Sequence, residues 1–212
     1  SIIYVDDGIY NHISITNFTC TIQSINGREK TFIDGGAKFL DIRSGKLSPD
    51  CIPGENAFRC IYSTLAQGIN IIGFTIQNGI TIENDNQLVS GSGAAFCRDS
   101  TGPIGRFPHS LQKCRVVNCL GISDGAIINS GNIANTIVEN CCCKDSKLLN
   151  LCQKSTACLQ NIIRKNFVWN DILVSAEDGT YSTIYFSKIH DNEISIPEFN
   201  SNAINSIGCI FH

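Results

Sequence analysis

The chain has 212 residues, with 16 Lys and Arg against 19 Asp and Glu, a formal net charge of −3. That balance excludes the basic footprint of a nucleic-acid binder and a polybasic membrane patch, and 42% hydrophobic with 17% charged residues excludes a disordered chain. No apolar run approaches the roughly 20 residues a membrane-crossing helix needs.

The 33 Ile and 21 Asn favour strands and polar bends over helices. Twelve Cys fit either a bridged secreted protein or a reduced core that uses Cys as a small apolar filler. There is no Cys-x-x-Cys pair, and Cys141-Cys142-Cys143 has no His at finger-like spacing. No metal site and no cofactor are expected from this pattern.

In chain order, short β-branched strands come first: Ile3-Tyr4-Val5, Ile13-Ser14-Ile15, Thr21-Ile22-Gln23-Ser24 and Thr31-Phe32-Ile33. Residues 37–57 lack this pattern and read as an inserted loop within one domain spanning 1–212. Beyond it, a β-branched stretch ending in Asn recurs at Thr75-Ile76-Gln77-Asn78, Val116-Val117-Asn118, Ile137-Val138-Glu139-Asn140, Ile162-Ile163-Arg164-Lys165-Asn166 and Ile189-His190-Asp191-Asn192. Asn118, Asn140, Asn166 and Asn192 are separated by 22, 26 and 26 residues. Units this short cannot bury a face alone, so they must stack. The reading is an all-β, right-handed parallel β-helix, a solenoid of short strands whose turns lie about 4.8 Å apart. The four Asn are expected in one ladder column, their amides bonding from turn to turn. The inward apolar column is expected to include Val117, Ile137, Ile163 and Ile189. Cys119 and Cys141 follow ladder Asn and are expected one above the other, as stacked thiols or as a bridge.

The opening Ile3 to Tyr10, Lys30-Thr31-Phe32-Ile33-Asp34-Gly35-Gly36 and Ile72-Gly73-Phe74-Thr75-Ile76-Gln77-Asn78-Gly79 resemble the first turns of the pectin-lyase-like right-handed β-helix family. The phased Gly125-Ala126-Ile127 and Ile-x-x-Asn pieces resemble degenerate polymorphic outer-membrane-protein repeats. The resemblance implies the fold. It leaves activity open, because this architecture hosts lyases, hydrolases, esterases, adhesins and inert scaffolds.

Lyase chemistry needs a carboxylate cluster holding Ca²⁺ and an Arg or Lys that takes a proton. Arg164, Lys165 and Asp171 are the nearest material, yet Ile172 stands where the family's motif has His. Hydrolysis needs several Asp around one bond, and the family's Asp signatures are missing. The enzyme question stays open, leaning against catalysis. Tyr181, Thr183 and Tyr185 alternate along one strand and would share a face, which with Trp169 could form an aromatic platform for sugars.

The expected function is therefore a non-catalytic extracellular or cell-surface module for adhesion or glycan binding. The alternative is a lyase or hydrolase of acidic polysaccharide, with Ca²⁺ only in that case. A second alternative is a structural subunit, self-assembling or part of a longer chain, because terminal solenoid turns are open sheet edges. The partner is a glycan or cell-surface molecule, with neither nucleic acid nor a membrane span. Asn17-Phe18-Thr19 is a sequon compatible with secretion.

Overall fold

The structure is a computed structural model that describes residues 1–64, 68–82, 93–99, 109–122, 127–129, 132–145, 148–151, 157–169, 174–176, 183–185, 187–195, 205–207 and 210–211. Among them there is no helix. Strands of two to five residues coil into a parallel β-helix. The first sheet stacks eight strands from Ile2–Val5 to Asn205–Ile207, and the second stacks eight from Gly8–Tyr10 to Ile210–Phe211. A third sheet runs through six strands from Ile13–Thr16 to Val174–Ala176. A fourth has Leu120–Gly121, Cys142–Lys144, Phe167–Trp169 and Glu193–Ser195.

Strand alternation sets what is buried. In the second sheet Ile33, Ile76, Val116, Val138, Ile163 and Ile189 are in register and fill one inward column. Ile22, Ile71, Leu111 and Ile133 do the same in the first sheet. Each such side chain contributes about 1.5–3 kcal/mol by leaving water. This corrects the inward column expected from sequence. Ile163 and Ile189 belong to it, but Val117 and Ile137 flank inward residues and so take the other face.

The bends carry the polar logic. Five consecutive second-sheet strands, from Thr75–Gln77 to Lys188–His190, are each followed by a left-handed residue: Asn78, Asn118, Asn140, Lys165 and Asp191, at φ 55°, 54°, 51°, 55° and 55°. The following residue sits inside the bend. Because Glu139 pairs with Arg164 and Arg164 with His190, Asn118 and Asn140 occupy the left-handed position, whereas Asn166 and Asn192 occupy the next one, in line with Cys119 and Cys141. The single ladder column expected from sequence is therefore two columns. Asn suits both places, since it tolerates left-handed backbone and its amide can replace a missing ladder bond.

Inside the bend, the Cys141 N–H donates to Asn166 Oδ1 and the Asn166 N–H to Asn192 Oδ1, both at 3.0 Å. The amide groups of Asn166 and Asn192 donate to Val138 O and Ile163 O of the preceding turn. A second ladder lies at the bend between the first and second sheets. There the Thr136 N–H donates to Asn161 Oδ1 at 3.0 Å and the Asn161 N–H to Ser187 Oγ at 3.1 Å. Outside, the Asn140 amide donates to Asn118 Oδ1.

Residues 37–57 are a strap. Its hairpin, Phe39–Asp41 against Lys46–Leu47, is the one antiparallel pairing among the described residues. Ala37, Cys51 and Ala57 form a second small core with Ile80, Leu120 and Cys142. The strap thus covers the fourth sheet, with Arg43 over the Phe167 ring at 5.2 Å and in contact with Glu193.

Candidate functional site: a groove at the bend between the first and second sheets

Left-handed residues also line the bend between the first two sheets: Gly73, Lys113, Asn135 and Gln160, at φ 77°, 54°, 52° and 54°. Lys113, Asn135 and Gln160 are exposed, so the row presents one side chain per turn to solvent over these three turns. The loop Ser24-Ile25-Asn26-Gly27-Arg28 leaves an earlier turn and folds over this bend. Arg28 anchors it: the Thr75 hydroxyl donates to Arg28 O at 2.8 Å, and Arg28 Nη1 donates to Cys114 O at 3.0 Å. Gly73 suits this bend by its left-handed backbone, φ 77°, since a Cβ there would make only ordinary contact with the Gly27 Cα at 3.5 Å.

Between loop and bend runs an open groove of about 740 Å³. Its polar lining is Gln23, Asn26, Asn135 and Gln160 with the cations Arg28 and Lys113, and Ile72, Ile137 and Ile162 supply apolar floor. Among the described residues lining it there is no carboxylate. The exposed and half-buried amides and cations with the apolar patches, spaced about one turn (4.8 Å) apart along the bend, can hold an extended polar chain by hydrogen bonds and contact. They provide no acid–base pair.

Beside the groove, on the second sheet, lies an ion triad. Glu139, 6% exposed, receives Arg115 through Nε and Nη2 and Arg164 likewise, each at 2.7 Å. Burial pushes its carboxyl up, but the Arg164 and then the Arg115 hydrogen bonds outweigh it and hold the group below its ordinary 4.5. Glu139 is therefore an anion and a poor proton donor. Arg164, a candidate lyase base by sequence, spends two donors on it. Lys165 sits exposed at the next bend position, on the outer corner. Asp171 lies outside the described residues.

Of the aromatic platform, Tyr181 lies outside the described residues. Thr183 and Tyr185 are in the first sheet, in register with Ala157 and Leu159. Trp169 is in the fourth sheet, its ring 4.8 Å from Phe167 and its indole N–H donating to Arg43 O at 3.4 Å. Trp169 therefore belongs to the strap contact and does not share a platform with residues 183–185, which stand on another sheet. The groove residues went unseen in the sequence. Their signal is a polar residue just after three successive first-sheet strands, Lys113, Asn135 and Gln160, weaker than the Asn series because no residue type repeats.

No protein-family model and no curated protein matches the chain. Among solved structures, a pectin methylesterase variant in complex with a hexasaccharide is similar over 92% of this chain and 71% of its own, at 9% identity and a TM-score of 0.27. That likeness carries neither activity nor substrate to this chain.

Proposed function

We propose that the chain is a pectin-lyase-like β-helix module that binds glycans without cleaving them, at a cell surface or outside the cell, and that the bend groove is its binding site. The observation that carries this reading is the groove lining: amides, cations and isoleucines in phase with the turns, with no carboxylate among the described residues that line it. A glycan is the extended polymer whose hydroxyls pair with amides and whose ring faces rest on apolar side chains. Hydrolysis requires a carboxylate pair across one bond, which this lining lacks. Tyr185 follows Leu159 in the register column that begins near the groove with Gln23 and Ile72, so it would extend the sheet wall toward later turns.

The test is an array of neutral and uronic oligosaccharides, followed by calorimetry on those retained. Lys113→Gly and Gln160→Gly keep the left-handed backbone and remove the side chains. Each should weaken binding about tenfold, the value of one to two lost hydrogen bonds. Affinity unchanged in both variants would overturn the groove assignment. New reducing ends, or unsaturated product seen by ultraviolet absorbance with Ca²⁺, would overturn the non-catalytic reading.

A further inference from the structure

Nine cysteines are buried and unbridged among the described residues. Three of them, Cys60, Cys119 and Cys141, lie about one bend. Cys119 and Cys141 occupy the same inward bend position in successive turns, since Leu120 pairs with Cys142 and the Cys142 N–H donates to Cys119 O at 2.9 Å. Cys60 reaches the same place from the third sheet. Its thiol donates to Gln77 O at 3.1 Å, and a Cβ on Gly79 would lie 2.8 Å from its sulfur. The Gly79 N–H points at the Cys119 sulfur at 3.4 Å. Gly79, lacking a Cβ, thus leaves room for the Cys60 sulfur while its own N–H contacts the Cys119 sulfur, and the Cys119 and Cys141 thiols are turned to the carbonyls of Val117 and Glu139 at 3.5 and 3.4 Å.

We infer that Cys119 and Cys141 are an oxidation site that closes into a disulfide between successive turns, with a small-molecule disulfide such as oxidised glutathione as oxidant. Stacked strands place equivalent Cα atoms about 4.8 Å apart, within the roughly 4.4–6.8 Å a disulfide spans. In the first step one cysteine thiolate attacks the glutathione disulfide, forming a mixed disulfide and releasing one glutathione. The second thiolate then displaces the other glutathione. Two cysteine protons are lost, one S–S bond is exchanged for another, and two reduced glutathiones leave. Burial pushes the Cys141 thiol well above its ordinary value, so exchange proceeds while the coil forms or opens. The bridge would tie two neighbouring turns at the point where the ladder changes from Asn to Cys. This inference is independent of the groove.

The test uses the whole chain, both native and refolded from urea in glutathione buffers of graded ratio, with free thiols then alkylated in denaturant. Cleavage after Glu139 separates Cys119 from Cys141, so a bridged pair appears as linked peptides two hydrogens lighter. The expected result is loss of two of the 12 thiols, a Cys119-to-141 linkage and a raised melting temperature. Cys141→Ala should abolish the linkage, and Cys142→Ala and Cys143→Ala should keep it. Twelve free thiols in both preparations, or a first linkage that survives Cys141→Ala, would overturn the inference.

Discussion

Asn166 gives the sharpest test of how the coil is held together. It is 1% exposed, accepts the Cys141 N–H at 3.0 Å and donates to Val138 O at 3.0 Å. Asn166→Leu fills a similar volume but strips both partners. Each orphaned buried backbone group costs about 1–3 kcal/mol, so the pair costs about 2–6 kcal/mol, reduced by a kilocalorie or two from the added apolar surface. The expected net loss is about 3 kcal/mol. Asn166→Cys should fall below that, because Cys119 and Cys141 already occupy equivalent positions. Urea unfolding followed by circular dichroism reads the midpoints, and an unchanged slope confirms that the same surface unfolds. A loss under 1 kcal/mol for Asn166→Leu, or a larger loss for Asn166→Cys, would refute the claim that the side chain replaces ladder bonds.

Ile163 is fully buried, so Ile163→Asp should cost more than about 4 kcal/mol and leave no cooperative melting transition. Glu139→Gln should cost about 1–2 kcal/mol at pH 7, modest because the Arg115 and Arg164 side chains are 39% and 36% exposed. Since the folded carboxyl titrates below its ordinary 4.5, that stability is present above about pH 4.5 and is lost as pH falls through the folded value. Urea midpoints of wild type and variant should therefore converge in acid. Gly79→Ala would set a Cβ 2.1 Å from Ala94 O, and overpacking should cost about 1–3 kcal/mol or more by thermal melting.

Parallel stacking was legible in the sequence because strand length and Asn spacing are both consequences of the coil. Column membership was not. A one-residue difference separates the left-handed position from the inward one, and Asn satisfies both, so Asn140 and Asn166 look equivalent until register is known. The same parity placed Val117 and Ile137 on the wrong face. Trp169 misled for another reason. Its environment is set by Arg43, far away in sequence, and a strap crossing several turns leaves no periodic trace. The groove was hidden because its row holds Gly73, Lys113, Asn135 and Gln160, united by backbone conformation alone.

That row also separates stability from binding. Gly and Asn adopt left-handed backbone readily, whereas a Lys or Gln there costs about 1–2 kcal/mol. Lys113 and Gln160 both hold φ 54°; the Lys113 backbone N–H joins the next turn at Ala134 O, 2.9 Å away, while the inward neighbours Cys114 and Asn161 serve the inner ladder. Their side chains contribute to the groove and their backbones carry strain. Lys113→Gly and Gln160→Gly relieve that strain, with a partial offset from the greater freedom of glycine in the unfolded chain. Both variants should therefore melt at or above the wild-type temperature while binding glycan more weakly. If instead they melt lower and bind equally well, the side chains serve the coil and the groove is not the site.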